Sequence, residues 1–260
     1  MGSDTAGCVA CRQPQALFDF TMAFQPIVDV ATGRIDAHEA LVRGVDGAGA
    51  AAVLARVTDA NRYAFDQACR VTAIELAARL GVEGALNINF LPNAVYEPRA
   101  CIRATLAAAG RAGFPLDRLT FEFTEGERSA EERHLLAIVT EYRRQGFRIA
   151  LDDFGSGYSG LSRLILLRPD IIKLDRELVR DCDVSAIRRV VVTQLATLAA
   201  EAGIKLVAEG VERAEEIAAL RHCGVRFMQG FYFARPVFEG IARHRDIHWP
   251  AAAETTSSQP

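Results

Sequence analysis

Lysine is almost missing from this chain: of its 30 basic residues only Lys173 and Lys205 are lysines, and the formal net charge is −3. A surface that neutralises many phosphates needs an excess of positive charge, so binding to a nucleic-acid polymer is excluded and any phosphate ligand must be met locally. No apolar run approaches the roughly 20 residues that span a bilayer, and residues 1–13 lack the basic start and apolar core of a secretory signal. No membrane segment is expected, and a cytoplasmic location follows by default. Ligand spacing for a soft metal is absent too. His38, His134, His222, His244 and His248 show no His-x-His pattern and read as surface or packing residues. The six cysteines are scattered and, without secretion, read as reduced thiols. Cys8 and Cys11 form a lone Cys-x-x-Cys that reads as two unpaired thiols, with a redox or half-zinc role as the alternative.

What is present is a soluble globular composition, 50% apolar and 24% charged, in 260 residues that fit one barrel of about 250 residues. Residues 1–19 read as a flexible lead-in and residues 246–260 as a disordered tail. Between them, Met22 to Val28 and Ile35 to Val42 form a hairpin around Thr32-Gly33, and helical periodicity runs from Tyr63 to Leu80 with Gly81 as C-cap. Strands then alternate with helices: Ala85–Phe90, Pro98–Ala109, Leu119–Phe123, Ser129–Gln145, Phe147–Asp152, a short helix over Ser159–Leu167, Asp170–Leu174, Val184–Ala202, Ile204–Ala208, Ala214–Cys223 and Val225–Met228. Gly110, Gly146 and Gly203 are the expected helix stops. Eight strands with interleaved helices predict an α/β fold, a TIM-like (β/α)8 barrel whose first strand runs antiparallel because it opens with a hairpin. No internal repeat is visible.

The strands end on polar groups. Leu151-Asp152-Asp153-Phe154-Gly155 stops on two adjacent carboxylates, and Asn89, Glu122, Lys173, Glu209 and Gln229 close other apolar runs. In a parallel barrel such positions converge on one mouth. A single strand-end acid is ordinarily a cap or a solvated charge. Acids on strand after strand ask for a cation, and oxygen-only donors favour magnesium or manganese over zinc.

Gln25-Pro26-Ile27-Val28-Asp29, Glu39-Ala40-Leu41-Val42-Arg43, Asn89, Phe121-Glu122-Phe123-Thr124-Glu125, Asp152 to Ser159, Ile172-Lys173-Leu174-Asp175, Ala208-Glu209-Gly210-Val211-Glu212 and Gln229-Gly230-Phe231 together resemble the EAL domain family. The resemblance covers Phe20 to Val237. It implies metal-dependent hydrolysis of cyclic di-GMP to linear pGpG with two divalent ions, Mg2+ or Mn2+. Glu39, Asn89, Glu122 and Asp152 would hold one ion; Asp152 would bridge to the second, completed by Asp153 and Glu209. Lys173 would orient or help deprotonate the water, and the residue types leave the base open between Lys173 and Glu209. Arg43 would pair with a phosphate, and Gln25 and Gln229 would fix polar edges of the ligand. Gly155, Ser156, Gly157 and Tyr158 correspond to a loop linking the metal site to a homodimer interface, with Glu125 as its anchor; Asp175 and Glu212 are further motif positions. Gly44 to Tyr63, short and alanine-rich, resembles EAL domains attached to blue-light-sensing BLUF modules, although no stretch of this chain reads as such a module. The alternative implied is a receptor for cyclic di-GMP, or a protein-interaction module, without hydrolysis. Control by an unidentified regulatory partner, by dimerisation or through the Cys8-Cys11 terminus is equally open.

Overall fold

The computed structural model describes residues 18–124, 132–157 and 160–250; Cys8, Cys11, Glu125 and Tyr158 lie outside the described residues. Strands β1 (Thr21–Asp29) and β2 (Arg34–Arg43) form an antiparallel hairpin. They are followed by helices α1 (Ala50–Leu54) and α2 (Arg62–Leu80), β3 (Ala85–Asn89), α3 (Pro98–Cys101), α4 (Arg103–Ala112), β4 (Leu119–Thr124), α5 (Glu132–Arg144), β5 (Arg148–Phe154) and α6 (Gly160–Leu167). The chain continues through β6 (Ile171–Leu174), α7 (Arg176–Val179), α8 (Ala186–Ala202), β7 (Lys205–Ala208), α9 (Ala214–His222), β8 (Phe227–Met228) and β9 (Val237–Phe238).

Strands β2 to β8 pair in sequence order and in parallel. Strand β1 closes the ring, antiparallel to both β2 and β8, which is the architecture the sequence predicts. An unexpected ninth strand, β9, pairs with β1 on the same edge as β8. All nine residues of β1 are buried, because this strand is covered on its outer face as well as its inner one. The helices dock by apolar stripes. In α5, Leu135, Ile138, Val139 and Tyr142 recur at spacings of three and four and all are buried.

Three local expectations are corrected. Gly110 lies inside α4, and the helix ends at Gly113, whose φ of +65° is the left-handed C-cap conformation. The anticipated single helix from Pro98 is interrupted at Ile102 into α3 and α4. Residues 246–250, assigned to the tail from sequence, pack on the barrel: Ile247 is buried, His248 stacks on Tyr232, and the Trp249 indole donates to the His244 carbonyl.

The barrel interior is filled by a layer of small and branched residues: Ile27, Ala37, Ala150, Ile171 and Val207, with Ala85 and Phe227 against them. Closure between β1 and β8 is reinforced by Asp29, whose carboxylate accepts from Arg226 Nε at 2.8 Å, from Thr32 Oγ1 at 2.6 Å and from the Ala31 amide at 3.0 Å. The Arg226 hydrogen bond holds the Asp29 carboxyl well below the usual carboxylate range, against the opposing effect of burial. Stability from such a depressed pKa is present above the unfolded value of about 3.9 and is lost as pH falls below it. Arg226 is half-exposed, so screening trims the gain. Asp29→Asn is expected to lower the unfolding free energy at pH 7 by about 1 kcal/mol. In denaturant titrations the difference from wild type should shrink as pH falls from 4 to 3.

Candidate active site

Side chains alternate along a strand, so a residue two positions beyond the interior plug faces the same space one layer nearer the mouth. That step leads from Ala37 to Glu39, from Ala85 to Asn87 and Asn89, from Ala150 to Asp152, from Ile171 to Lys173, from Val207 to Glu209 and from Phe227 to Gln229. On antiparallel β1 the mouth lies towards the N-terminus, so the step from Ile27 leads back to Gln25. A strand-end search finds Gln25 only when β1 is read in reverse.

The centre of this layer is the Lys173 ammonium, completely buried. Its Nζ lies 2.6 Å from Glu209 Oε1, 2.9 Å from Glu122 Oε2, 3.1 Å from Glu39 Oε2 and 3.2 Å from Asp152 Oδ1. Burial alone would favour the neutral amine, but the surrounding carboxylates, Asp152 foremost, raise Lys173 well above its ordinary value. The acids remain short of positive charge. Burial, reinforced by Glu39 and Asp152 and opposed by Lys173, pushes Glu122 up to about 8. Burial with Asp152 and Asp175 pushes Asp153 up to about 6, and burial also drives Glu209 up.

Two carboxylate triads have oxygens within 4.8 Å of one another: Glu39, Glu122 and Asp152; and Asp152, Asp153 and Glu209. Asp152 belongs to both. This donor set, all oxygen and in excess of its counter-charge, fits hard divalent cations. Asn89 Nδ2 donates to Glu39 Oε1 at 2.8 Å and adjoins the first triad.

Adjacent residues of a regular strand face opposite ways, so Asp152 and Asp153 reach one site only through an irregularity. The register between β5 and β6 shifts between Leu151 and Phe154, one extra residue on β5, and Asp153 takes a φ of +51°. Aspartate tolerates this left-handed conformation better than most residues. Leu151 and Phe154 both stay in the outer core. The bulge turns the second carboxylate into the mouth.

Gln229 Nε2 donates to Glu39 Oε2 at 2.8 Å and to Gln25 Oε1 at 3.2 Å, and Gln25 Nε2 donates to the Ala234 carbonyl. Arg43, at the end of β2, donates to its neighbouring Val42 carbonyl and forms no ion pair with the acids among the described residues. Asp175 caps α7 by accepting from the Glu177 amide at 2.7 Å, and Glu212 holds Arg176 through both oxygens, one at 2.7 Å. After the bulge, Ser156 bonds back to the Asp153 carbonyl through both its amide and its hydroxyl, and Gly155 (φ +98°) lies so close to Leu178 that a Cβ would collide with it. Gly157 follows, and Arg163 on α6 donates to the Thr124 carbonyl. A polar mouth of about 290 Å³ takes in Gln25, Glu39, Asp152, Asp153, Asp175, Arg176, Glu209, Glu212 and Gln229.

Sequence reasoning passed over Asn87, whose Nδ2 donates to Glu122 Oε1 at 2.6 Å in full burial. The signal was available: Asn87 and Asn89 alternate in β3 and must share a face. A third acidic group, Asp181, Asp183 and Glu216, lies away from the mouth and is bridged by Arg213, 2.5–3.3 Å from each.

Removing Lys173 leaves buried carboxylates without their partner. In EDTA at pH 8, Lys173→Met is expected to cost about 3–5 kcal/mol in chemical unfolding. The deficit should be smaller at pH 5, where the orphaned carboxylates take up protons.

Comparison with known proteins bears on the same geometry. The EAL domain family matches residues 11–236. A standalone versatile EAL protein from Vibrio cholerae O395, solved with c-di-GMP bound, is 48% identical with a TM-score of 0.85, over 88% of this chain and 97% of that one. BlrP1 of Klebsiella pneumoniae, solved as a manganese/cy-diGMP complex, is 36% identical with a TM-score of 0.83, over 88% of this chain and 59% of that one. Among curated proteins, the blue light- and temperature-regulated antirepressor BluF of Escherichia coli K12 is 30% identical over 230 residues, 88% of this chain and 56% of BluF. The cyclic di-GMP phosphodiesterase PdeR from the same strain is 36% identical over 116 residues, which is 45% of this chain and 18% of PdeR. The matches thus span from about a fifth to just over half the length of these curated relatives. With the family model matched over residues 11–236 and the fold shared with a 48% identical EAL protein at a TM-score of 0.85, the chain belongs to the EAL domain family.

Proposed function

We propose that this protein hydrolyses cyclic di-GMP to linear pGpG with two divalent cations, Mg2+ or Mn2+. The observation that carries the reading is the pair of carboxylate triads sharing Asp152 beside a buried lysine. Glu39, Asn89, Glu122 and Asp152 would hold one cation, and Asp152, Asp153 and Glu209 the other. Bound there, the cations supply charge neutralisation for the phosphodiester, an acidified water, and stabilisation of the leaving 3′ oxygen.

The chain's own residues do the rest. Lys173, held as an ammonium by its carboxylate neighbours, orients the attacking water by N–H donation. Glu209, whose Oε1 lies 2.6 Å from Lys173 Nζ, shares with it the candidacy for the base that takes the water's proton. Arg43 pairs with a phosphate and Gln25 and Gln229 hold polar edges of the dinucleotide. Leu161 and Ile165 on α6, directly after the Gly155–Gly157 turn, are exposed, as are Ile187 and Val190 on α8; these apolar faces support a homodimer. Cys69, Cys182 and Cys223 are buried thiols outside any disulfide, in keeping with a reducing, cytoplasmic setting, and no described helix is long and apolar enough to cross a membrane.

A second reading is a non-catalytic receptor or protein-interaction module, favoured by the antirepressor name of BluF. Purified protein incubated with cyclic di-GMP and Mg2+ or Mn2+ should release pGpG, followed by chromatography. Binding without turnover in either metal would establish the second reading. Asp152→Asn should abolish turnover while the circular dichroism spectrum stays native. Ile165→Glu should convert a dimer to a monomer in size-exclusion chromatography with light scattering; an unchanged mass would remove α6 from the interface.

A further inference from the structure

On the outer side of the barrel, beside the end of β3, α2 carries a buried ion pair that contributes no group to the proposed chemistry. Asp66 and Arg70 are one helical turn apart, 3% and 0% exposed, and bonded to each other. Such a pair contributes little net stability, because desolvation offsets the attraction and well-packed apolar residues do as well. An apolar pair cannot, however, accept and donate hydrogen bonds at defined points. The second oxygen of Asp66, Oδ1, accepts the backbone amide of Leu91 at 2.9 Å, and Arg70 Nη1 donates to the Tyr142 hydroxyl on α5 at 2.6 Å.

The groups around the pair are telling. The Arg70 guanidinium sits 5.5–5.7 Å from the ring centres of Phe90, Phe121 and Tyr142. Phe90 and Phe121 are the chain neighbours of Asn89 and Glu122, facing outward where those two face inward. The Phe90 amide donates to the Glu122 carbonyl at 3.0 Å, tying the two strand ends together. Leu91 is two residues past Asn89, just where β3 has ended and strand pairing no longer holds the backbone.

We propose that Asp66 is a positioning residue: its carboxylate, backed by Arg70 and Tyr142, anchors the Leu91 amide and thereby sets the end of β3 that presents Asn89 to Glu39 and the first cation site. This rests on the reading of Asn89 and Glu122 as cation-site residues. A stable fold needs only that α2 pack on the barrel; the cation site needs β3 to stop at one place.

Two double variants separate these demands. Asp66→Asn with Arg70→Met removes both charges and keeps an acceptor for Leu91. Asp66→Ala with Arg70→Met removes both charges and the acceptor. Titration of the metal-free proteins with Mn2+ by electron paramagnetic resonance should give an affinity within about twofold of wild type for the first and about tenfold or more weaker for the second, in line with other supporting hydrogen bonds at metal sites. At saturating Mn2+ the second variant should regain turnover of cyclic di-GMP, since every group at the mouth is intact. Equal Mn2+ affinity in the two variants overturns the proposal while leaving the phosphodiesterase reading in place. Absence of Mn2+ binding by the wild type, together with no turnover of cyclic di-GMP in Mg2+ or Mn2+, overturns both. Should the alanine variant not fold, Leu91→Pro deletes the amide and keeps the ion pair; wild-type Mn2+ affinity in that variant overturns the proposal.

Discussion

One ammonium shared by four carboxylates, three of them buried, is the constraint on which the mouth of this barrel depends. The four acids come from β2, β4, β5 and the end of β7, so Lys173 on β6 ties together strands that are not neighbours in the ring. A lysine suits this place better than an arginine: its charge is a point with three donors, able to face several oxygens at once, while a guanidinium is a flat fork matched to one carboxylate. In a chain that otherwise relies on arginine, the choice is a chemical one. The same cluster remains under-neutralised, as the raised values of Glu122 and Asp153 record.

The antiparallel first strand has its own logic. A regular eightfold unit would bring every mouth residue from a strand's C-terminal end. Here the hairpin reverses β1, so Gln25 arrives from the opposite direction and meets Gln229 of the residue following β8 and Glu39 of β2 through a hydrogen-bonded chain. The two glutamines lie at the seam where the ring closes. Asp29 and Arg226 close the same seam at the other end of β1, so both ends of the joint are polar while its middle is apolar.

Much of this was legible in the sequence because the information is local. Alternation locates the strands, and an apolar run ending in Glu122 or Lys173 reveals which end opens on the mouth. What stayed hidden depends on contacts between elements. Alternation puts Asn87 on the same face as Asn89, but its partner, Glu122, follows only from the pairing of β3 with β4. Helical periodicity gives Asp66 no partner, and only packing shows it reaching the Leu91 amide. The helix stop at Gly113 was misplaced at Gly110 because both glycines follow alanine-rich turns, and only the backbone conformation distinguishes them. Glu125 and Tyr158 belong to motifs the family match covers and lie outside the described residues.

The bulge in β5 carries a consequence of its own. Without Asp153 the strand would return to strict alternation: Leu151 outward, Asp152 inward, Phe154 outward. Loss of that one residue would even release the strain of a non-glycine side chain at positive φ, of order 1 kcal/mol. Shortening β5 by that one residue would therefore dissolve the triad of Asp152, Asp153 and Glu209 while leaving Glu39, Glu122 and Asp152 grouped as they are.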